Sequence, residues 1–429
     1  MQATRRQFLE QSGWALAASA GGMRQISASP NERVQLAIIG VRGMGFSHLK
    51  TFVSLPNTAV VTVCDVDESV LARAGEAVRS ATDREPWRVS DFRQVLDDKS
   101  VDAVVVATPH HWHAPIAVRA LQAEKDVYLE KPASHVFREG RLILDAARKY
   151  GRIVQHGTQM RSSEVTRKAA EVIQSGILGE IKMTKAWNVQ QHRHKDPLPD
   201  EPVPSGVDYD MWLGPATMRR FNRHRFHGYW PWMREYGNGD IGNDGTHDLD
   251  MARFGLGVTT HPVRITAHGS RIELKGEREY PDNMMVAYHY AEGKVLLYED
   301  RGWSPYHPYG YDSGNAFYGT EGWMLFTRRG FFQVYLGARE EPGPSLKGDT
   351  GHPNHRINFV ECVRSRQQPT AGAEVAHLSC ALPHLGEISY RVGRVLHFDP
   401  ASEQILSDPE ANAMLTKPYR EPWGLPNIV

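Results

Sequence analysis

The sequence predicts an α/β fold in which helices wind over both faces of a parallel sheet. Short apolar runs alternate with amphipathic helical stretches from Arg33 onward, and a glycine-rich loop, residues 40–45, follows the first run. Farther along the chain, strand-like segments are separated by turn signals. Alternation of short apolar runs with helices is typical of a doubly wound parallel sheet, and this architecture is therefore the first expectation.

The elements are predicted in a regular order. In the first region we predict strands over residues 34–39, 60–65, 103–107 and 127–129, and helices over residues 69–79 and 114–123. In the later region we predict strands over residues 263–268, 284–290, 294–298, 323–327 and 331–335, then helices over residues 354–366 and 375–397. We expect the tail after Asp399 to pack on the surface or on a neighbouring subunit.

The bulk composition excludes several classes of function. The 429 residues carry 50 basic and 50 acidic side chains, and 41% of the residues are hydrophobic. This balance gives no sign of a nucleic acid or an anionic membrane as a partner. No apolar run of the sequence reaches the roughly 18 residues of a membrane span. The 3 cysteines are too few for a disulfide framework.

The N-terminus matches the twin-arginine export pattern. Thr4-Arg5-Arg6-Gln7-Phe8-Leu9 is followed by a short apolar stretch, residues 12–20. Such a segment is a targeting signal and does not form part of the folded domain. We therefore expect residues 1–30 to be a signal segment and the protein to be periplasmic or otherwise exported. The alternative is a frayed tail on a cytoplasmic protein.

The glycine-rich loop lies between a predicted strand and a predicted helix. Its sequence is Gly40-Val41-Arg42-Gly43-Met44-Gly45. Glycines let the backbone approach a pyrophosphate, which then lies at the positive end of the next helix. Asp65 follows Gly45 by 20 residues, can accept hydrogen bonds from both ribose hydroxyls and would repel a 2′-phosphate. We therefore predict NAD over NADP. Arg42 stands where a second glycine is usual, and its contact with a phosphate is the competing interpretation.

Three further segments resemble the Gfo/Idh/MocA family of sugar and inositol dehydrogenases. They are Ala107-Thr108-Pro109-His110-His111-Trp112-His113, Glu130-Lys131-Pro132 and Gly242-Asn243-Asp244-Gly245-Thr246-His247-Asp248-Leu249-Asp250. The resemblance runs from about Arg33 to the end of the chain. It implies an N-terminal Rossmann domain (31–155), a C-terminal α/β domain on a large, mostly antiparallel open sheet (156–398) and a tail (399–429). That sheet commonly forms the family's oligomer interface, so a homo-oligomer, a dimer or tetramer, is expected.

The same comparison of motifs gives a set of predicted contacts. The predicted cofactor contacts are Gly40, Arg42, Gly43, Met44, Gly45, Asp65, Thr108, Pro109, His111, Glu130 and Lys131. The predicted substrate contacts are Asn243, Asp244, Trp112 and Trp230. The aromatic-rich stretch 221–236 suits the C–H faces of a sugar ring, although such rings are also common in protein cores.

Lys131 is the first candidate for a catalytic group. Oxidation of a secondary alcohol sends a hydride to the nicotinamide and a proton to a base. Lys131 follows a predicted strand, and burial beside a cationic ring would favour its neutral amine. The family resemblance points to the same lysine and implies a cis Lys131–Pro132 bond. The competing interpretation is an ordinary solvated lysine in a turn.

His247 is the second candidate. The family usually has an aspartate four residues before this histidine, where this chain has Asn243, with Asp244 beside it. An amide cannot take up a proton, so we expect Lys131 and His247 to share the acid–base work while Asn243 positions the substrate. A structural His–Asp pair at a helix end is the alternative.

Two histidine-rich segments invite a metal interpretation. They are His192-Arg193-His194 with Asp196, and residues 110–113. No Cys or Glu completes a zinc set there, and the chemistry of sugar oxidation needs no metal. We therefore predict no metal site.

These observations favour an NAD-dependent oxidoreductase that acts on a secondary hydroxyl of a sugar or polyol. Export would separate the protein from the soluble NAD pool, so we expect tightly held NAD that is recycled within each catalytic cycle. The alternative is an NAD-dependent glycosidase, which oxidises a ring hydroxyl, eliminates the aglycone and reduces the ring again. A non-catalytic NAD-dependent sensor or scaffold is the third hypothesis.

Overall fold

The computed structural model describes residues 33–192, 194–274 and 276–425. The predicted export segment, residues 1–30, lies outside the described residues. The described chain forms two sheets, one of six strands and one of ten strands. In this part of the chain, no helix is long and apolar enough to cross a membrane.

The first sheet is the predicted doubly wound parallel sheet. Its strands are β1 (Val34–Ile39), β2 (Thr58–Cys64), β3 (Trp87–Val89), β4 (Ala103–Val106), β5 (Asp126–Leu129) and β6 (Val154–His156). Its helices are α1 (Gly43–Phe52), α2 (Glu68–Thr82), α3 (Phe92–Asp97), α4 (His110–Gln122) and α5 (Phe137–Tyr150). The strand order is β3-β2-β1-β4-β5-β6 and every pair is parallel. The four residues of β4 and the four of β5 are all buried, as expected for central strands covered on both faces.

The second sheet has ten strands and is mostly antiparallel. Its strands are β7 (Ile181–Asn188), β8 (Arg264–Ser270), β9 (Asn283–His289), β10 (Val295–Arg301), β11 (Ser313–Gly319), β12 (Gly322–Thr327), β13 (Phe331–Leu336), β14 (Glu341–Lys347), β15 (Leu396–Asp399) and β16 (Gln404–Ile405). The order is β14-β13-β12-β11-β7-β10-β9-β8-β15-β16. Only β7 and β10 pair in parallel among these strands. The predicted α/β fold with two different sheets is therefore confirmed.

The remaining helices cover one face of the large sheet or connect it to the first sheet. They are α6 (Glu164–Gln174), α7 (Tyr209–Leu213), α8 (Gly239–Asn243), α9 (Gly245–Leu256), α10 (His352–Ser365), α11 (Ala373–Val392) and α12 (Pro409–Ala413). Buried residues of α9 and α11, such as Leu249 and Leu385, share one hydrophobic core with Met284 and Tyr288 of β9. This core fixes α8 and α9, which carry the predicted substrate residues, over the sheet.

Two predicted element boundaries were wrong for local reasons. The helix predicted over residues 375–397 ends at Val392, because Gly393 adopts a left-handed conformation with φ of 65° and β15 begins at Leu396. The helix predicted from residue 114 begins earlier, at His110, directly after Pro109. Residues 110–113 therefore belong to the first turn of α4 and not to a strand end.

A long segment of the second domain crosses over the carboxyl ends of the strands of the first sheet. We call residues 206–236 the strap. Near its start, the N–H of Glu68 donates to the Gly206 carbonyl (2.9 Å) and the N–H of Asp208 donates to the Val66 carbonyl (2.9 Å). Near its end, the N–H of His111 donates to the Tyr236 carbonyl (3.2 Å). The strap is thus bonded to the first domain at both ends.

The C-terminal tail returns to the first domain and to the strap. Arg420 donates from Nε to the Gly214 carbonyl (2.7 Å) and from Nη1 to Asp210 (2.5 Å). Trp423 is buried, and Arg119 donates to the Gly424 carbonyl (2.6 Å). The expectation that the tail packs on a surface therefore holds within a single chain, where that surface is the strap and α4.

Candidate dinucleotide and substrate site

A cleft of about 340 Å³ opens at the carboxyl ends of β1, β2, β4 and β5. The walls on the side of the first domain include Gly40, Arg42, Gly43, Met44, Asp65, Phe92, Thr108, Pro109, Glu130 and Lys131. The opposite wall is formed by Met211, Trp212, His227, Trp230 and Asn243. This edge of a parallel sheet, where the strand order reverses between β1 and β4, is the position at which doubly wound folds bind nucleotides.

The glycine loop makes the close approach of backbone possible. Gly40 has φ of +82°, and a Cβ there would lie 2.7 Å from the Ala107 carbonyl oxygen. A Cβ on Gly45 would lie 1.7 Å from the Gly40 oxygen, so Gly45 serves the packing of α1 on the loop and does not line the cleft. Gly43 faces open space, with no atom within 4 Å of such a Cβ. The helix N-terminus at Gly43 is therefore free to meet a phosphate.

Asp65 lies in the cleft just after β2. Its Oδ2 accepts a hydrogen bond from the N–H of Val41 (2.8 Å), and its Oδ1 accepts one from the N–H of Asp67 (3.1 Å). Burial raises the pKa of Asp65 to about 6, although these backbone donors act in the opposite direction. The carboxylate is thus held against the glycine loop, at the position where a ribose hydroxyl is expected.

The residues present fit NAD. The Thr108 hydroxyl lines the cleft and is buried without a hydrogen-bond partner in the described chain. A buried hydroxyl without a partner indicates a missing polar ligand. Gly43 provides the open backbone and Asp65 the carboxylate, so the donor set matches a dinucleotide. Arg42 also lines the cleft, but its guanidinium donates to the His227 carbonyl of the strap.

Besides Gly45, a second predicted cofactor contact needs correction. His111 does not line the cleft, because its ring is fully buried, with Nε2 3.0 Å from the Trp212 carbonyl and Nδ1 3.4 Å from the Tyr236 carbonyl. Trp112 lines the cleft, but its indole N–H is shared by the carbonyls of Met211 (3.0 Å) and Trp212. The indole N–H therefore joins α4 to the strap, and the predicted contact of this ring with the substrate stays a prediction.

Lys131 meets the second domain at the far end of the cleft. Its Nζ donates to the Asn243 side-chain oxygen (2.9 Å) and to the Asn243 backbone carbonyl (3.1 Å), and it lies 3.6 Å from Asp244 Oδ1. The Lys131–Pro132 bond is cis, as the resemblance implied. The amine is therefore placed between the cofactor cleft and α8 and α9, which carry the predicted substrate residues.

Glu130 anchors the backbone beside this lysine. Its Oε1 lies 2.8 Å from His48 Nε2, and its Oε2 accepts a hydrogen bond from the Lys131 N–H (3.2 Å). Burial acts to raise the pKa of Glu130, but His48 and the Lys131 amine outweigh it and leave this pKa far below its usual range. Glu130 is therefore a fixed negative charge at the end of β5.

His247 is also close to this group. The ring is buried, and its Nδ1 has no hydrogen-bond partner in the described chain. Burial, followed by the charges of Lys131 and Arg328, lowers the pKa of His247 well below its usual value. The imidazole is neutral near pH 7 and has an acceptor available, which is compatible with the predicted acid–base role. That role stays a prediction.

Arg328 is a site residue that the sequence analysis missed. It follows β12, and its Nη1 lies 3.5 Å from Asp244 Oδ1 while its Nε lies 3.7 Å from Asp248 Oδ2. Its Nε also donates to the Ser313 hydroxyl (2.8 Å). Burial raises the pKa of Asp248 to about 8, and neither of its carboxyl oxygens has a hydrogen-bond partner in the described chain. In the sequence, Thr327-Arg328-Arg329-Gly330 reads as an exposed hairpin turn, and no local signal separates Arg328 from its neighbour.

Most aromatic residues of the strap form a hydrophobic cluster of their own, and of its buried rings Trp212 also lines the cleft. Tyr209, Trp212, Phe221, Phe226, Tyr229, Met233 and Tyr236 pack together in one cluster. Trp230 lines the cleft and meets His110 edge-on, with ring centroids 4.7 Å apart. His227 Nε2 lies 2.7 Å from Asp67 Oδ2, which bonds the middle of the strap to the first domain.

The histidines considered for metal binding have other partners. His192 Nε2 lies 3.0 Å from Asp240, and His194 Nε2 lies 2.9 Å from Asp196. In the described residues, the one group with metal-ligand geometry lies elsewhere and consists of His261, His377 and Glu403. Its carboxylate is already bound by Arg141.

The fold and the cleft define an NAD-binding oxidoreductase. Two family models match: the oxidoreductase family, NAD-binding Rossmann fold, over residues 34–158, and the oxidoreductase family, C-terminal alpha/beta domain, over residues 163–318 and 345–425. The chain belongs to the Gfo/Idh/MocA family of oxidoreductases, and its cofactor is NAD.

Curated relatives match only part of the chain. A glycosyl hydrolase family 109 protein of Saccharopolyspora erythraea is 32% identical over 166 residues, which are 37% of this chain and 36% of the relative. An alpha-N-acetylgalactosaminidase of Shewanella oneidensis is 25% identical over 256 residues, 57% of this chain and 53% of that enzyme. The matched part thus spans between a third and about half of these relatives.

Solved structures share the whole architecture. Levoglucosan dehydrogenase in complex with NADH and levoglucosan is similar with a TM-score of 0.67 and 19% identity, over 85% of this chain and 99% of that chain. Aldose-aldose oxidoreductase from Caulobacter crescentus, complexed with glycerol, is similar with a TM-score of 0.67 and 18% identity, over 85% and 100%. At this identity, the likeness shows the fold alone.

Proposed function

We propose that the protein oxidises a secondary hydroxyl of a sugar or polyol, with Lys131 as the group that takes the hydroxyl proton. The observation that carries the proposal is the position of the Lys131 amine, at the end of the NAD cleft and in contact with Asn243 of the second domain. Bound NAD supplies the hydride acceptor. The sugar or polyol class is supported by the names of the structural neighbours, levoglucosan dehydrogenase and aldose-aldose oxidoreductase.

The other residues then have separate tasks. Asn243 orients the Lys131 amine, and neutral His247 accepts a hydrogen bond from a second hydroxyl of the substrate. Trp230 presents a ring to the cleft beside His110. An aromatic face in this position suits the C–H face of a sugar and excludes water from the reacting carbon.

The strap gives a reason for tight cofactor binding. The cleft lies between the first domain and the strap, and the strap is bonded to Val66, Glu68 and His111 of the first domain. These contacts hold one wall of the cleft in place, so we expect them to slow the release of a bound dinucleotide. Retained NAD must be returned to its oxidised state by a second substrate or by a later step of the same reaction.

This enclosure favours a second candidate function, the NAD-dependent glycosidase. In that reaction the ring hydroxyl is oxidised, the aglycone is eliminated and the ring is reduced again, so no net reduction of NAD remains. The curated relatives named as glycosyl hydrolase family 109 proteins support it. The same Lys131 amine serves the first oxidation in both candidates.

One pair of assays separates the two candidates. Purified protein is given free sugars and polyols with added NAD, and steady reduction of NAD supports the dehydrogenase. The same protein is given aryl glycosides without added NAD, and release of the phenol without net NADH supports the glycosidase. If neither class of compound reacts while the protein retains NAD, the proposed function is wrong. Export by the twin-arginine route is a further proposal, which cell fractionation tests.

A further inference from the structure

The Lys131 amine has three hydrogen-bonding directions around Nζ, and its contacts with Asn243 account for two of them. Two of its directions are taken by the two oxygens of Asn243, at 2.9 and 3.1 Å. An ammonium has three N–H donors, whereas a neutral amine has two donors and a lone pair. The asparagine therefore satisfies the neutral amine completely. The third direction decides whether the amine keeps its extra proton.

Asp244 Oδ1 lies 3.6 Å from the Lys131 Nζ. A carboxylate at this distance stabilises the ammonium and would keep Lys131 from acting as a base. The same Oδ1 lies 3.5 Å from Arg328 Nη1. One negative charge is thus shared between a lysine that must lose its proton and an arginine that never does.

Arg328 is held in place independently of Asp244. Its Nε donates to Ser313 (2.8 Å) and its Nη2 to Asn188 (3.4 Å), so strands β7 and β11 fix the guanidinium. Its other carboxylate neighbours are Asp248, with Oδ2 3.7 Å from Nε, and Asp312. Burial raises the pKa of Asp248 to about 8, which weakens its attraction to the guanidinium near pH 7 and leaves the ionised Asp244 as a strong partner.

We propose that Arg328 is a positioning residue that competes with Lys131 for the carboxylate of Asp244 and thereby frees the Lys131 amine to accept the substrate's proton. The inference rests on the proposed function. In the reaction, the substrate O–H bond breaks and an N–H bond forms on Lys131, while the hydride passes to NAD. The proton then leaves Lys131 for water. The other titratable groups facing this amine are Glu130, His110, His113 and His247.

The test measures the protonation midpoint of Lys131 without any substrate. NAD-loaded protein is labelled with acetic anhydride across a range of pH, and mass spectrometry gives the extent of labelling at Lys131 relative to exposed lysines of the same chain. Arg328→Gln is expected to move the midpoint upward by roughly one pH unit, because the Asp244 carboxylate then stabilises the Lys131 ammonium without competition from Arg328. Asp244→Asn is expected to move it downward by a similar amount.

The double variant and a neighbouring arginine provide the controls. Arg328→Gln with Asp244→Asn is expected to lie closer to the unmodified protein than the Arg328→Gln variant does. Arg329→Gln is the matched control, since Arg329 pairs with Asp312 and its side chain is half exposed. It is expected to leave the midpoint unchanged.

Opposite shifts in the two single variants support the proposal, because a general loosening of the site would move both in one direction. Shifts of the same sign in both variants, or no shift in either, overturn it. If Arg328→Gln fails to fold, an unchanged midpoint in Asp244→Asn alone overturns it. The labelling result stands even if no sugar is oxidised, so failure of the proposed function is a separate outcome.

Discussion

Trp423 packs edge-on against Trp112, with ring centroids 5.0 Å apart, so a residue of the C-terminal tail supports a wall of the NAD cleft. Trp423 also contacts Phe92, which lines the same cleft. Both tryptophans are buried. The tail lies more than 300 residues from α4 in sequence, and the hydrogen bond from Arg119 to the Gly424 carbonyl joins the two as well. This distant segment therefore contributes to the cofactor site.

The first prediction follows from this contact. Trp423→Ala removes a buried ring whose loss costs about 3–5 kcal/mol in a well-packed core, and we expect the protein to lose bound NAD during gel filtration. The measurement is the nucleotide content of the protein peak. Trp87→Ala is the control, because Trp87 is 47% exposed and lies on β3 of the same sheet. Equal NAD retention in both variants would contradict the prediction.

The second prediction concerns the bonds between tail and strap. Arg420 contacts Asp210 and the Gly214 carbonyl, so Arg420→Ala releases α7 with its cleft residues Met211 and Trp212. We expect dissociation of NAD to become roughly tenfold faster, the equivalent of about 1.4 kcal/mol. Stopped-flow displacement of NADH, followed by its fluorescence, measures this rate.

A matched control is a pair that bonds the tail to the second domain instead of the strap. Arg394 forms a similar pair with Asp408, away from the strap, and Arg394→Ala is expected to leave the dissociation rate unchanged. If NAD leaves the Arg420→Ala variant no faster than it leaves the control, the strap does not retain the cofactor.

The third prediction separates catalysis from cofactor binding. Lys131→Met keeps most of the side-chain volume and removes the amine, so turnover of any sugar that the protein oxidises should fall by about 10²–10⁴-fold. The amount of bound NAD should stay unchanged.

Asn243→Asp places a carboxylate 2.9 Å from the amine and favours the ammonium, so its activity should fall at neutral pH and recover at higher pH.

The pH–rate profile is the measurement for the Asn243→Asp variant. Activity that is equally low at every pH would mean that the asparagine side chain is needed to hold substrate and not to orient Lys131. Unchanged activity in Lys131→Met would exclude this lysine as the base.

The nucleotide half of the site could be predicted because local order along the chain determines it. In a parallel sheet, a loop after β1 and an acid after β2 must reach the same edge, and the loop at Gly43 and Asp65 do so. Lys131 could be placed by the same rule, since it follows β5. These residues need no information from distant parts of the chain.

The substrate half depends on contacts between distant residues. Lys131 and Asn243 are 112 residues apart, and their contact exists only because the large sheet carries α8 and α9 over the cleft. Arg328 reaches the site from the turn after β12, which resembles any exposed hairpin. The sequence could not show which aromatic residues of the strap lie in the core and which line the cleft. The backbone there is irregular, so side chains do not alternate between two faces at a regular spacing. The homo-oligomer expected through the large sheet, the domain limits and export stay predictions.

The fourth prediction concerns the stability of the junction between α5 of the first domain, the second domain and the tail. Glu403 accepts hydrogen bonds from Arg141 (2.5 Å), and its Oε1 lies 2.8 Å from His377 Nε2 and 3.1 Å from His261 Nε2. Burial acts to raise the pKa of Glu403, but His261, His377 and Arg141 outweigh it and leave this pKa far below its usual range. The carboxylate therefore holds α5, α11 and the tail together.

The sign of the pH dependence follows from this lowered pKa. A depressed folded-state pKa contributes stability that is complete above the unfolded value of about 4.3 and is lost as the pH falls below it. Glu403→Gln should lower the free energy of unfolding by about 1–3 kcal/mol near pH 7, with a smaller difference from the unmodified protein at acidic pH. Thermal unfolding at several pH values measures this difference.

Glu410→Gln is the matched control, because Glu410 pairs with exposed Arg394 and its loss should change the Tm little. A chelator added to the unmodified protein tests whether His261, His377 and Glu403 instead bind a metal ion. The two imidazoles and Arg141 already satisfy the carboxylate, and the positive charge of Arg141 would repel a divalent cation bound beside it. We therefore expect EDTA to leave the Tm unchanged. A fall in Tm with EDTA, equal to that of Glu403→Gln, would instead identify His261, His377 and Glu403 as metal ligands.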